Sequence, residues 1–81
     1  MENEMKESRA IHEIAKDIRE HWPKVNYAAK PYLEAMRGLR NIDDAYGFDS
    51  AKSITLYFLA NASTWRGEHA RRIKDELKGM L

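Results

Sequence analysis

The feature that most constrains this chain is Ser53–Trp65, SITLYFLANASTW: thirteen consecutive residues without a charge in a sequence that is 33% charged overall. Asp49 and Lys52 precede it, and Arg66, Glu68, Arg71 and Arg72 follow. On a helical wheel Ile54, Leu56, Tyr57, Phe58 and Leu59 surround the axis almost completely. A helix that is apolar on all sides belongs in a core or at a subunit interface. The run is too short to cross a bilayer, which takes about 20 residues. Ser53, Thr55, Asn61, Ser63 and Thr64 make it more polar still. The segment therefore predicts a central helix that the rest of the chain, or a second copy, must cover.

With 81 residues there is room for one core, so residues 1–81 are expected to form a single helical domain, with residues 1–5 a candidate disordered tail. A chain of this size buries only about 60–65% of its unfolded surface. Small domains without staples depend on regular helix packing or on a partner. The absence of cysteine removes disulfides and thiolate zinc sites. The charged N-terminus lacks the apolar run of a signal peptide, and a cytoplasmic setting is expected. Fourteen basic against thirteen acidic residues leave a net charge of +1. So balanced a charge predicts no strong general affinity for DNA or anionic lipid.

Apolar residues at Ile11, Ile14, Ala15, Ile18 and Trp22 give one stripe at helical spacing and predict a first helix from about Met5 to Trp22, stopped by Pro23. Arg9, Glu13, Lys16, Asp17 and Glu20 fall on the other side. A second helix is expected to reach Leu39 or Arg40, with Pro31 in its first turn and Tyr32, Ala35, Met36 and Leu39 facing inward. A start at Asn26, as cap, would place Pro31 inside it. Gly38 weakens its end. In the connection that follows, Asn41 and Asp44 suggest a capped turn closed by Gly47, with Ile42, Tyr46 and Phe48 plugging the core. Asp49 is the expected cap of a third helix over Ser50–Ala62. Ser63 or Thr64 would cap a fourth over Trp65–Lys78, ending at Gly79, with Ala70, Ile73 and Leu77 inward. Asn61–Thr64 is a weak break, so the third and fourth helices could also be continuous. No segment sustains the alternation of a strand, and no sheet is expected. The predicted fold is all-α, a small bundle of three to four helices around the apolar third helix.

Chemistry is sparse in this pattern. His12, His21 and His69 form no histidine pair at i,i+4, and no H-E-x-x-H is present, so no metal site is expected. Asp43, Asp44 and Asp49 around Gly47 lack the ligand alternation of a calcium loop, and capping explains Asp44 and Asp49. Asp75 and Glu76 are adjacent and point in different directions on a helix. The four glycines, at 38, 47, 67 and 79, are scattered and make no phosphate loop. No catalytic residue, metal or cofactor is assigned, and no enzymatic activity is expected.

Two surface features remain. Arg71, Lys74 and Lys78 recur at helical spacing and form a basic strip with Glu68 and Asp75 beside it; its plain explanation is a solvated face with intrahelical ion pairs. Arg66 falls inside the apolar arc of the fourth helix on the wheel, next to Trp65. It can be held by stacking on Trp65 or Tyr57 or by Asp43, Asp44 or Asp49, or it can serve a partner, since interface hot spots favour arginine beside aromatic residues. The expected contact set is Trp65, Arg66 and Tyr57, in a protein-binding or self-associating role without a membrane. Nucleic-acid contact through Arg71, Lys74 and Lys78 is the alternative. A helix-turn-helix reading of the last two helices lacks the usual glycine in the turn.

The segment SITLYFLANASTWRGEHARR at 53–72, together with PYLEAM at Pro31–Met36, resembles small uncharacterised helical proteins of bacterial prophages and mobile elements. The resemblance covers most of the chain from Pro31 onward. It implies a cytoplasmic accessory role in a bacterium or phage and transfers no site residue.

Overall fold

In the computed structural model, residues 9–47 and 49–81 are described. They form four helices: α1 (Ile11–His21), α2 (Lys30–Met36), α3 (Ala51–Ala60) and α4 (Glu68–Met80). The all-α bundle expected from the periodicity is the fold observed. None of these helices is long and apolar enough to cross a membrane.

Helix α1 starts later than the expected Met5, at Ile11, and the part of the expected helix before Arg9 lies outside the described residues, as does the candidate tail. Its first-turn donors are satisfied in an unexpected way. The Ile11 and His12 N–H groups donate to the carbonyls of Arg40 and Leu39, at 2.9 and 2.8 Å, so the exit of α2 caps α1. The Ala10 N–H donates to Glu13 Oε1 at 3.2 Å, half of a capping box. Ile11, Ile14, Ala15 and Ile18 are fully buried, as the stripe required.

Pro31 sits in the first turn of α2, where its missing N–H breaks no bond. Asn26 acts just upstream: its Oδ1 accepts from the Ala29 N–H at 2.7 Å. Helix α2 ends at Met36 rather than at Leu39 or Arg40, because Arg37 and Gly38 tighten into i→i+3 turns. Leu33, Ala35, Met36 and Leu39 are buried, while Tyr32 is only partly covered.

The chain between α2 and α3 departs from the expectation of no sheet. Ala45–Tyr46 (β1) pairs antiparallel with Asp49–Ser50 (β2) in a two-strand hairpin. Gly47, at φ 62, supplies the left-handed conformation of its tight turn. The turn before it is built from Asp44, whose Oδ2 accepts the N–H groups of Arg40 and Asn41 at 2.8 and 3.0 Å. Ile42 packs half-buried on the core. The expected core roles of the Tyr46 side chain and of Phe48 lie outside what is described.

Asp49 is not the cap of α3. Ser50 takes that role, its Oγ accepting from the Ser53 N–H at 3.0 Å, because the hairpin runs on through Ser50 and the helix starts only at Ala51, one residue too late for Asp49 to cap it. Ile54, Thr55 and Phe58 of α3 are buried. The third and fourth helices are not continuous: residues 61–67 separate them. Neither Ser63 nor Thr64 caps α4, which begins at Glu68 after Gly67 and runs through Gly79 to Met80. Gly67 has φ 110 and ψ −178, a combination open essentially to glycine alone, and it sets the corner. Ala70, Ile73 and Leu77 complete the core, each large side chain in it worth about 1.5–3 kcal/mol of burial.

Candidate functional site

The residues singled out by sequence fall into three neighbourhoods. Trp65, read as the opening of α4 and as a contact residue, is only 5% exposed and lies in the corner before that helix. Its ring stacks on Trp22, centroids 5.2 Å apart, and its Nε1–H points to the His21 carbonyl at 3.4 Å. Burial gives it to the core.

Tyr57 stays on the surface. It is 49% exposed and its ring lies 5.4 Å from that of Tyr32, tilted by 45°. Leu56, the next residue on the outer side of α3, is 46% exposed. Tyr27 stands almost free of the fold at 94% exposure, and with Ala28, Pro31 and Tyr32 it lines a groove of about 510 Å³ edged by Lys30 and Glu34. The apolar wheel of α3 is thus covered on one side only, and an aromatic face spans α2 and α3. The helical spacing places Tyr32 inward and gives Tyr27 no role; the signal available in the sequence is the aromatic pair Tyr27 and Tyr32, five residues apart across Pro31.

Arg66 is exposed in the connection before α4, not inside its apolar arc. The helix begins three residues later than the wheel assumes, at Glu68 instead of Trp65, which removes Arg66 from the core-facing row. It makes no ion pair with Asp43, Asp44 or Asp49 among the described residues. It lines a groove of about 330 Å³ together with Arg71, Lys74 and Lys78, with Asp75 as the carboxylate in that lining. Lys74 Nζ donates to the Trp65 carbonyl at 2.6 Å. Burial, and then the positive charges of Lys78 and Arg66, hold the Lys74 ammonium below the ordinary lysine pKa.

A polar seam that the sequence did not reveal joins α1 to α4. Arg9 holds Glu76 with two hydrogen bonds, at 2.9 and 2.6 Å, and reaches Asp17 Oδ2 at 3.1 Å. Arg72 approaches the same Asp17 oxygen at 3.2 Å. His21 Nδ1 lies 2.8 Å from Asp17 Oδ1 and 3.1 Å from the Asp17 carbonyl; both are acceptors, so this nitrogen carries the proton. His69 stacks on His21 at 3.8 Å, and its Nδ1 accepts from Arg72 at 3.2 Å. Burial alone would raise the Asp17 carboxyl, but the hydrogen bonds from Arg72 and Arg9 outweigh it and hold the group below the usual aspartate range. Asp17, Glu20 and His21 bring three donor atoms within 4.8 Å of one another, a spacing open to a metal ion. Asp17 is nevertheless committed to two guanidiniums, which a divalent cation would have to displace. The geometry is that of a clamp between helices. His12 lies apart, on the outer side of α1 beside Lys16, Arg19 and Arg37.

No protein-family model, curated protein or solved structure matches the chain.

Proposed function

We propose that this chain is a non-enzymatic accessory module that self-associates through the aromatic face of α2 and α3, in the phage or mobile-element setting that its resemblance implies. The observation that carries the reading is the exposure of Leu56, Tyr57 and Tyr27, which with Leu81 at the end of the chain are the exposed large apolar residues among those described. Tyrosine is favoured at interface centres because it brings large area and a polar tip at low entropic cost. A second copy is the occupant that suits this face. The groove edge carries one cation, Lys30, and one carboxylate, Glu34, so a two-fold contact sets opposite charges across from each other. The net charge of +1 opposes pairing only weakly. A contact of standard size takes about 800 Å² from each copy, roughly a seventh of the 5299 Å² surface.

Of the residues first expected to make the contact, Tyr57 keeps that role in this reading. Trp65 supports the fold instead, and Arg66 belongs with the basic groove. The test is Leu56→Ser with Tyr57→Ser. Self-association measured by light scattering should weaken at least tenfold, about 1.4 kcal/mol, while the thermal midpoint at low concentration changes little. Unchanged association in that variant would refute the reading.

A further inference from the structure

The groove at the start of α4 gathers positive charge without neutralising it. Elsewhere three arginines are paired, Arg9 with Glu76 and Asp17, Arg72 with Asp17 and Arg37 with Glu34, while Arg19 and Arg40 form no ion pair among the described residues. Arg66, Arg71, Lys74 and Lys78 line one groove and form no ion pair among the described residues, although Asp75 shares the lining. Lys74 donates to a neutral carbonyl instead. Four cations held side by side repel one another, and an anionic ligand would relieve that repulsion more fully than the single carboxylate of Asp75.

The layout of the four charges selects among anions. With a rise of about 1.5 Å per residue, Arg71 and Lys78 stand about 10 Å apart along the axis of α4, with Lys74 between them. A single tetrahedral anion is small against such a row, whereas successive phosphates of a polymer match its length. The indole of Trp65 is buried and no exposed aromatic ring or large apolar side chain lines the groove, so nothing there stacks on a base or enters a lipid layer. We infer that the Arg66–Arg71–Lys74–Lys78 groove is a sequence-independent site for the sugar–phosphate backbone of a nucleic acid, engaging three or four phosphates. This site lies on residues other than those of the aromatic face and does not depend on self-association. With so few contacts it is weak at physiological salt, in keeping with the nearly neutral charge of the whole chain.

The experiment is fluorescence anisotropy with a labelled random-sequence DNA duplex, using the full chain, from about 50 to 200 mM salt. Binding should be detectable at the low end and fall with a log–log slope of about −3, the value for three to four released counterions. Arg71→Glu with Lys78→Glu should lower affinity more than tenfold. Lys16→Glu with Arg19→Glu makes the same change of net charge on α1 and should lower it less than about threefold, as expected for screened distant charges. Circular dichroism checks that both variants keep the fold. Should the α4 pair fail to fold, Arg66→Gln serves, with a loss of severalfold and a slope shallower by about 1. No binding at about 50 mM salt, equal losses in the α1 and α4 variants, or equal affinity for polyglutamate or pyrophosphate would each overturn the assignment.

Discussion

The indole rings of Trp22 and Trp65 lie parallel, 5.2 Å between centroids and 1° between planes, and so join the end of α1 to the corner that launches α4. Trp22 also meets Phe58 of α3 edge-on, with centroids 6.3 Å apart. Three helices are therefore tied at one aromatic cluster by residues far apart in sequence. Trp65→Ala should destabilise the fold by about 3–5 kcal/mol, the usual cost of emptying a large aromatic site. Denaturant unfolding followed by circular dichroism measures it. A loss below about 1 kcal/mol would mean that Trp65 is not a core residue.

Thr55 is fully buried in α3, and its Oγ1 has no hydrogen-bond partner among the described residues. Burying a hydroxyl without a partner costs about 1–3 kcal/mol. Thr55→Val keeps the shape and removes the polar atom, so it should stabilise the protein by about 1 kcal/mol. Thermal unfolding of the variant against the parent is the check, with a lower midpoint the contrary result.

Much of this architecture is legible in the sequence where neighbours along the chain decide it. The stripe Ile11, Ile14, Ala15 and Ile18 needs only a helix and a core, and Gly47 needs only a turn. The start of α4 depended on something else. Trp65 and Arg66 continue the helical wheel smoothly, but Trp65 turns into the core against Trp22, and Gly67 takes a backbone conformation that ends any continuation. That misplacement hid Arg66 from the basic row it joins, while Arg71, Lys74 and Lys78 were already recognisable. The seam of Arg9, Asp17, His21, Arg72 and Glu76 was not legible, since it exists only once α1 and α4 lie side by side. Equally, a two-residue strand pair leaves no alternation to find.

Gly67 adopts φ 110 with open space where a Cβ would go. The cost of Gly67→Ala is therefore conformational, about 1–3 kcal/mol, and comes without a clash. Equilibrium unfolding should show that loss, and Gly79→Ala, at the end of α4 with no positive φ, should not.

Acid should weaken the α1–α4 seam. Asp17 has a folded pKa below its unfolded value of about 3.9. Its stabilising contribution is thus complete above that value and is lost as pH falls through the folded pKa. Asp17→Asn should cost about 2 kcal/mol at neutral pH, a figure reduced for the partial exposure of both arginines, and should flatten the acid limb of the stability profile. The lowered pKa of Asp44, held by the backbone N–H groups of Asn41 and Arg40, acts in the same direction and persists in the variant. A profile unchanged by Asp17→Asn would contradict the role given to this carboxylate.

Sedimentation equilibrium of the unmodified chain, from low micromolar to hundreds of micromolar, tests the proposed self-association most directly. The aromatic face of α2 and α3 predicts an apparent mass that rises with concentration from the 9.5 kDa of one chain towards twice that value. A single 9.5 kDa species over the whole range would contradict it.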